Sequence, residues 1–116
     1  MIIIYHNPRC SKSREALALL QQDSNKQLTI VEYLKTPPSA AMLREILTKL
    51  QLPARALLRK KETEYTELAL DNPELTEQQL IDAMAAHPKL IERPIVINGQ
   101  QAAIGRPLSN ISAIIG

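Results

Sequence analysis

The chain opens on Ile2-Ile3-Ile4-Tyr5, an unbroken apolar run rich in β-branched residues. Such a run reads as a strand buried on both faces. His6-Asn7-Pro8-Arg9 interrupts it. From Cys10 or Ser11 a helix is predicted to about Gln22, with Ala16, Leu17 and Leu20 along one face and the polar Asp23-Ser24-Asn25 at its end. Residues 28–33, through Thr29, Ile30, Val31 and Tyr33, have the composition of a second strand. Strand, helix and strand with short connections imply a right-handed parallel βαβ unit.

The middle of the chain has helical spacing. Pro37-Pro38-Ser39 stops extended structure and caps a helix in which Leu43, Ile46, Leu47 and Leu50 recur at i, i+3, i+4 and i+7. Pro53 suits the first turn of another short helix through Leu57 and Leu58. Arg59-Lys60-Lys61 reads as a solvated helix end, and a further helical turn covers residues 63–68. Asp71-Asn72-Pro73 is a turn. Thr76-Glu77-Gln78-Gln79 matches a capping box. The helix that it opens carries Leu80, Ala83 and Met84 on one face and stops near His87-Pro88.

The remaining residues change period. Residues 94–97 and 100–104 flank Asn98-Gly99, the signature of a β-hairpin on a two-residue type I′ turn. Gly105-Arg106-Pro107 punctuates it, and Leu108, Ile111, Ile114 and Ile115 form a last amphipathic helix. The order is β-α-β, a helical block, then β-β-α. The fold class is therefore α/β. The βαβ unit and the hairpin share one four-stranded mixed sheet, and residues of about 39–90 form an inserted helical lobe of a single domain spanning residues 1–116.

Length and composition agree with this. A chain of 116 residues fits one domain and should bury roughly two-thirds of its unfolded surface. With 45% hydrophobic residues but no Phe or Trp, the core must be aliphatic. The three tyrosines leave little for stacking on single-stranded nucleic acid. A net charge of +2 is too mild to argue for a nucleic-acid or membrane-surface partner. No stretch approaches the ~20 apolar residues of a membrane helix. The opening apolar run is too short for a signal-peptide core. A single cysteine excludes an intramolecular disulfide. The expected location is the reducing cytoplasm.

That cysteine, Cys10, follows a buried strand and starts a helix. The positive end of a helix and its unpaired N–H groups stabilise an anion, and Arg9, Lys12 and Arg14 surround the thiol. Both effects favour thiolate, the nucleophilic form. A small buried core cysteine is the alternative; the charged, proline-broken setting argues against burial. Three residues on, where dithiol oxidoreductases carry a resolving cysteine, stands Ser13. Any redox cycle must then be completed by an outside thiol. Ser13 either hydrogen-bonds the thiolate or decorates the first helical turn. Arg93 and Arg106 each precede a proline, Pro94 and Pro107, and bracket the hairpin. Guanidinium forks suit tetrahedral oxyanions; the alternative for either is a surface arginine at a strand end. Cys10-Ser11-Lys12-Ser13-Arg14 is C-x3-R, not the C-x5-R loop of cysteine phosphatases. His6 and Cys10 make a poor metal pair, so no metal site is expected. His6 either assists the thiolate or is a satisfied loop histidine.

The run from Tyr5 to Arg14 resembles the Y-H-N-P-x-C-x-x-S-R signature of the glutaredoxin-linked arsenate reductases. Arg55-Ala56-Leu57-Leu58-Arg59-Lys60, Glu92-Arg93-Pro94-Ile95-Val96 and Gly105-Arg106-Pro107 resemble further blocks of that family, in order along essentially the whole chain. The resemblance implies a thioredoxin/glutaredoxin-like fold with a helical insertion. It implies that Cys10 attacks arsenate, or a related oxyanion, and that Arg59, Arg93 and Arg106 bind it. His6, Ser13 and Arg14 fall among the supporting positions, and Pro94 at the cis-proline facing the thiol. Glutathione would be the co-substrate and glutaredoxin the partner, with no bound cofactor and a monomeric protein. Ser11-Lys12 departs from the Gly-Thr usual after the cysteine and resembles a branch of bacterial paralogues. Two other functions share these features. One is a redox-regulatory binding protein resembling the Spx regulators, which usually carry a C-x-x-C pair. The other is a reductase of protein–glutathione mixed disulfides, which would need Cys10 but not all three arginines.

Overall fold

A computed structural model describes residues 1–22 and 27–115. The elements are β1 (Ile2–His6), α1 (Ser11–Gln21), β2 (Leu28–Glu32), α2 (Ala40–Leu50), α3 (Ala54–Leu57), α4 (Thr63–Glu67) and α5 (Glu77–Ala86). A 3-10 turn (Pro88–Leu90) precedes β3 (Ile95–Asn98), β4 (Gln101–Ile104) and α6 (Ser109–Ile115). The chain divides into two compact units. One is built from the chain ends, up to Thr36 and from Arg93 on; the other is Pro37–Glu92. The expected helix end at Asp23-Ser24-Asn25 lies outside the described residues.

The first unit holds the sheet, in the order β2-β1-β3-β4. β1 runs parallel to β2, with Ile4 opposite Ile30, and antiparallel to β3, with Ile4 opposite Val96. β3 and β4 pair antiparallel, as the hairpin pattern predicts. The two central strands are the ones that read as apolar runs, because both of their faces are covered. The edge strand β2 leaves Ile30 exposed. It also ends at Glu32, one residue before the expected end, and Tyr33 turns away into a buried position.

Ile2, Ile4 and Val96 from the sheet, Ala16 and Leu20 from α1 and Ile111 from α6 form one core. Ala16 and Leu20 stand at i and i+4, so they lie on one helix face. Each large aliphatic side chain buried here contributes about 1.5–3 kcal/mol.

The hairpin turn is displaced from its expected position. Asn98 is still a strand residue, paired with Gln101, so the two-residue loop is Gly99-Gln100. Gly99 has φ +63°, while Gln100 is not among the residues of positive φ. That is the φ signature of a type II′ turn, with glycine first, rather than type I′. Both turn types follow the right-handed twist of the strands, so the hairpin survives the slip.

In the second unit, α2 packs against α5, and α3 packs against α5 as well. Ser39 caps α2, its hydroxyl accepting from the Met42 N–H at 3.2 Å. Thr76 and Gln79 form the predicted capping box of α5. Pro53 sits at the N-cap of α3 rather than in its first turn. Leu58 lies beyond α3 and forms an isolated β-bridge with Ile91, a non-local pairing that a local pattern does not reveal. Arg59-Lys60-Lys61 is accordingly no helix end but the turn between α3 and α4. No helix among the described residues is long and apolar enough to cross a membrane.

Candidate active site

Among the described residues, Ser13, Lys12, Arg93 and Arg106, the groups that act on the thiol, belong to the first unit. β1 leaves the sheet at His6 and the chain turns sharply: Cys10 N–H donates to Asn7 O at 3.0 Å, and Asn7 Oδ1 accepts from Arg9 N–H at 3.0 Å. Arg14 Nη1 donates to Pro8 O at 2.9 Å and ties the turn to the helix. Cys10 is the N-cap of α1, with extended backbone, and its carbonyl accepts from Arg14 N–H. An N-cap side chain normally satisfies the free N–H groups of the first turn. The thiol closes no such bond, but the Ser13 and Lys12 N–H groups lie close enough to favour its anion.

Cys10 is only 8% exposed, so the expectation of an unburied thiol is corrected. The polar turn around it is exposed, yet the side chain itself is covered. Burial alone would push the thiol's pKa up. The Ser13 N–H, the Arg93 charge, the Lys12 N–H and the Arg106 charge oppose it and leave the pKa below its ordinary value. Arg106 Nη2 stands 3.4 Å from Cys10 Sγ, and Arg106 Nε donates to Arg93 O at 2.8 Å. The Arg93-Pro94 and Arg106-Pro107 peptide bonds are both cis. From the two ends of the hairpin, Arg106 contacts the thiol and the charge of Arg93 acts on it.

Ser13 takes neither role foreseen for its hydroxyl. Ser13 is fully buried; its Oγ accepts from the Asn7 N–H at 3.0 Å and lies 2.6 Å from His6 Nδ1. Its backbone N–H, not its hydroxyl, serves the thiol. His6 is 5% exposed and touches Ser13, so it braces the turn that holds Cys10. Asn7 and the Pro8 carbonyl are parts of that turn which residue chemistry alone did not single out; an Asn-Pro turn ahead of a helix is their only signal.

The remaining predicted arginine, Arg59, belongs to the second unit. It is partly buried and paired with Glu62, its Nε lies 4.0 Å from Glu92 Oε1, and its backbone N–H donates to Leu90 O. Arg55, in the same sequence block, pins the backbone of its own unit, because its guanidinium donates to Leu70 O at 2.8 Å and Asn72 O at 2.9 Å.

His6 gives the unit a pH dependence. Burial lowers its pKa below 6.5; Glu32 opposes this, Arg14 adds to it, and the contact with Ser13 opposes it. The unfolded chain then binds more protons than the folded one between the two pKa values, so stability rises with pH in that window. The contribution is complete above about 6.5 and is lost as pH falls through the folded value. Urea midpoints at pH 7 and pH 5 should differ more for the wild type than for His6→Gln, which carries no proton to gain.

The model of the ArsC family matches residues 5–114. The chain belongs to the ArsC family. Among ArsC relatives, the arsenate reductase of Neisseria meningitidis serogroup A is 50% identical over 115 residues, 98% of this chain and 97% of that protein. The uncharacterized protein YfgD of Escherichia coli K12 is also 50% identical, over 114 residues, 97% of this chain and 95% of the other. The structure of an arsenate reductase from Vibrio cholerae superposes with a TM-score of 0.92 at 46% identity, covering 97% of this chain and 96% of that one. The fold is therefore the thioredoxin-like α/β fold of the ArsC structures, with the mixed four-stranded sheet expected from the sequence.

Proposed function

We propose that the protein is an arsenate reductase that works through Cys10, with glutathione as co-substrate and glutaredoxin as partner. The observation that carries this reading is the 3.4 Å contact between Arg106 Nη2 and Cys10 Sγ. A guanidinium beside a thiolate favours the nucleophile before reaction and holds a tetrahedral oxyanion against it during reaction. In the first step the sulfur attacks arsenic(V) and an oxygen leaves as water, giving a Cys10 thiol-arsenate adduct. Arg93 and Arg106 offset the charge that accumulates on the oxygens. Arg59 is the third oxyanion arginine, a role it takes from the sequence resemblance. Glutathione then attacks the Cys10 sulfur. The S–As electron pair passes to arsenic, which leaves as arsenite, and a Cys10–glutathione disulfide remains. Glutaredoxin attacks the glutathionyl sulfur and frees the thiolate. Two thiols supply the two electrons, which suits a chain with one cysteine.

The test is NADPH consumption coupled through glutathione reductase, with arsenate, glutathione and glutaredoxin each omitted in turn. Turnover should require all three and should yield arsenite in proportion to the NADPH oxidised. A folded protein whose Cys10 alkylates readily, yet which consumes no NADPH with arsenate, would overturn arsenate as substrate. Turnover undiminished without glutaredoxin would remove that partner.

A further inference from the structure

Arg106 is exposed, yet its side chain reaches two acceptors at once, Arg93 O through Nε and Cys10 Sγ through Nη2. A long side chain on a free loop loses such an arrangement to its own rotamer freedom. The loop at residues 105–107 is not free. On one side the Gly105 N–H donates to Pro94 O at 2.9 Å. On the other, Asn110 Nδ2 lies 3.1 Å from Ile104 O and 3.4 Å from Arg106 O, so one amide group donates to carbonyls on both sides of Gly105. Asn110 is fixed in turn. Its backbone N–H donates to Pro107 O at 3.0 Å. Its neighbour Ile111 is fully buried in the core, and Asn98 Nδ2 ties the far end of α6 to the hairpin through Ile114 O at 2.7 Å.

We propose that Asn110 is a positioning residue for the thiol chemistry: its side-chain amide clamps the loop that carries Arg106 and so keeps that guanidinium on the Cys10 sulfur. This rests on the reading of Cys10 and Arg106 as a working pair. Asn110 itself touches neither sulfur nor substrate. α6 thus does more than cover the sheet; it acts as a splint for the loop. A side-chain amide with two carbonyl acceptors suits this role, because it spans the loop without adding charge near the thiolate.

The test compares wild type, Asn110→Leu, Arg106→Ala and the double variant. Leucine keeps the size of the side chain and removes both donors. The readout is the rate of Cys10 alkylation by iodoacetamide as a function of pH, which follows the thiolate fraction and does not require arsenate to be the substrate. The other groups that act on the sulfur, Arg93 and the N–H groups of Lys12 and Ser13, are the same in all four proteins. Asn110→Leu should raise the apparent thiol pKa, slowing alkylation at mildly acidic pH about 2–3-fold. With arsenate it should raise KM more than it lowers kcat. In the Arg106→Ala background it should add nothing, because its only route to the sulfur is gone. A wild-type pH profile in Asn110→Leu, with Arg106→Ala shifted, would overturn the role of Asn110 alone. Equal, additive shifts in both backgrounds would overturn it as well. An unshifted Arg106→Ala would overturn both the clamp and the pairing on which it rests.

Discussion

Cys10→Ser should abolish turnover, by more than about 10³-fold, while the melting temperature stays close to that of the wild type. The loss is expected to be complete rather than graded, for two physical reasons. A serine hydroxyl remains protonated at neutral pH even where the Ser13 and Lys12 N–H groups and two arginines favour the anion. An oxygen–arsenic bond, if one formed, would offer a thiol no sulfur to attack, so no electron pair could pass to arsenic. The fold should be indifferent, because the Cys10 side chain closes no cap hydrogen bond and serine is a favoured N-cap residue. The measurement pairs the coupled assay with a thermal melt. Residual activity near that of the wild type would show that the chemistry runs through a group other than this thiol.

Gly105→Ala should be the most damaging single-methyl change near the site. A Cβ built there would lie 2.7 Å from Ile111 Cδ1 and 2.8 Å from Pro94 Cγ. The isoleucine tip can swing aside, but the proline ring cannot. Overpacking of this kind costs about 1–3 kcal/mol and should lower the melting temperature by several degrees. It should also reduce activity, because the displaced backbone belongs to the loop that carries Arg106. Ile111→Val removes the Cδ1 atom in the shorter contact. Combined with Gly105→Ala it should recover part of the loss, so the two changes together cost less than their sum. Strict additivity of the two would mean that the Pro94 contact alone sets the penalty.

What was legible in the sequence depended on how local its cause was. The apolar runs of β1 and β3, the i, i+4 stripe of α1, and the capping box at Thr76 and Gln79 are all short-range consequences of residue type, and each is found in place. The place of Cys10 at a helix start was also legible, because a helix start after a buried strand is itself local. Arg93 and Arg106 could be singled out because each precedes a proline, and both act on the thiol. Features set by the partner across a gap were not legible. The hairpin pattern fixed the turn only to within one residue, since Asn98 is free to pair with Gln101 once glycine alone supplies the positive φ. The bridge of Leu58 to Ile91 joins segments far apart in the chain, and it turns Arg59 from a helix end into a turn residue paired with Glu62. The contact of Cys10 with Arg106 likewise joins opposite ends of the sequence. Asn110 carries no motif; only the positions of the Ile104 and Arg106 carbonyls give it a role.

The commitment of the Ser13 hydroxyl has a consequence for supply. Ser13 stands where dithiol oxidoreductases carry their second cysteine, is fully buried, and commits its oxygen to His6 and the Asn7 N–H. With one cysteine in the sequence, the proposed cycle draws its second thiol from a separate molecule. Below saturation, the rate of a two-electron reduction at this sulfur is proportional to the concentration of that molecule. On the proposed function, throughput would then rise and fall with the supply of reduced thiol even at constant oxyanion, and turnover would slow when that supply is drained.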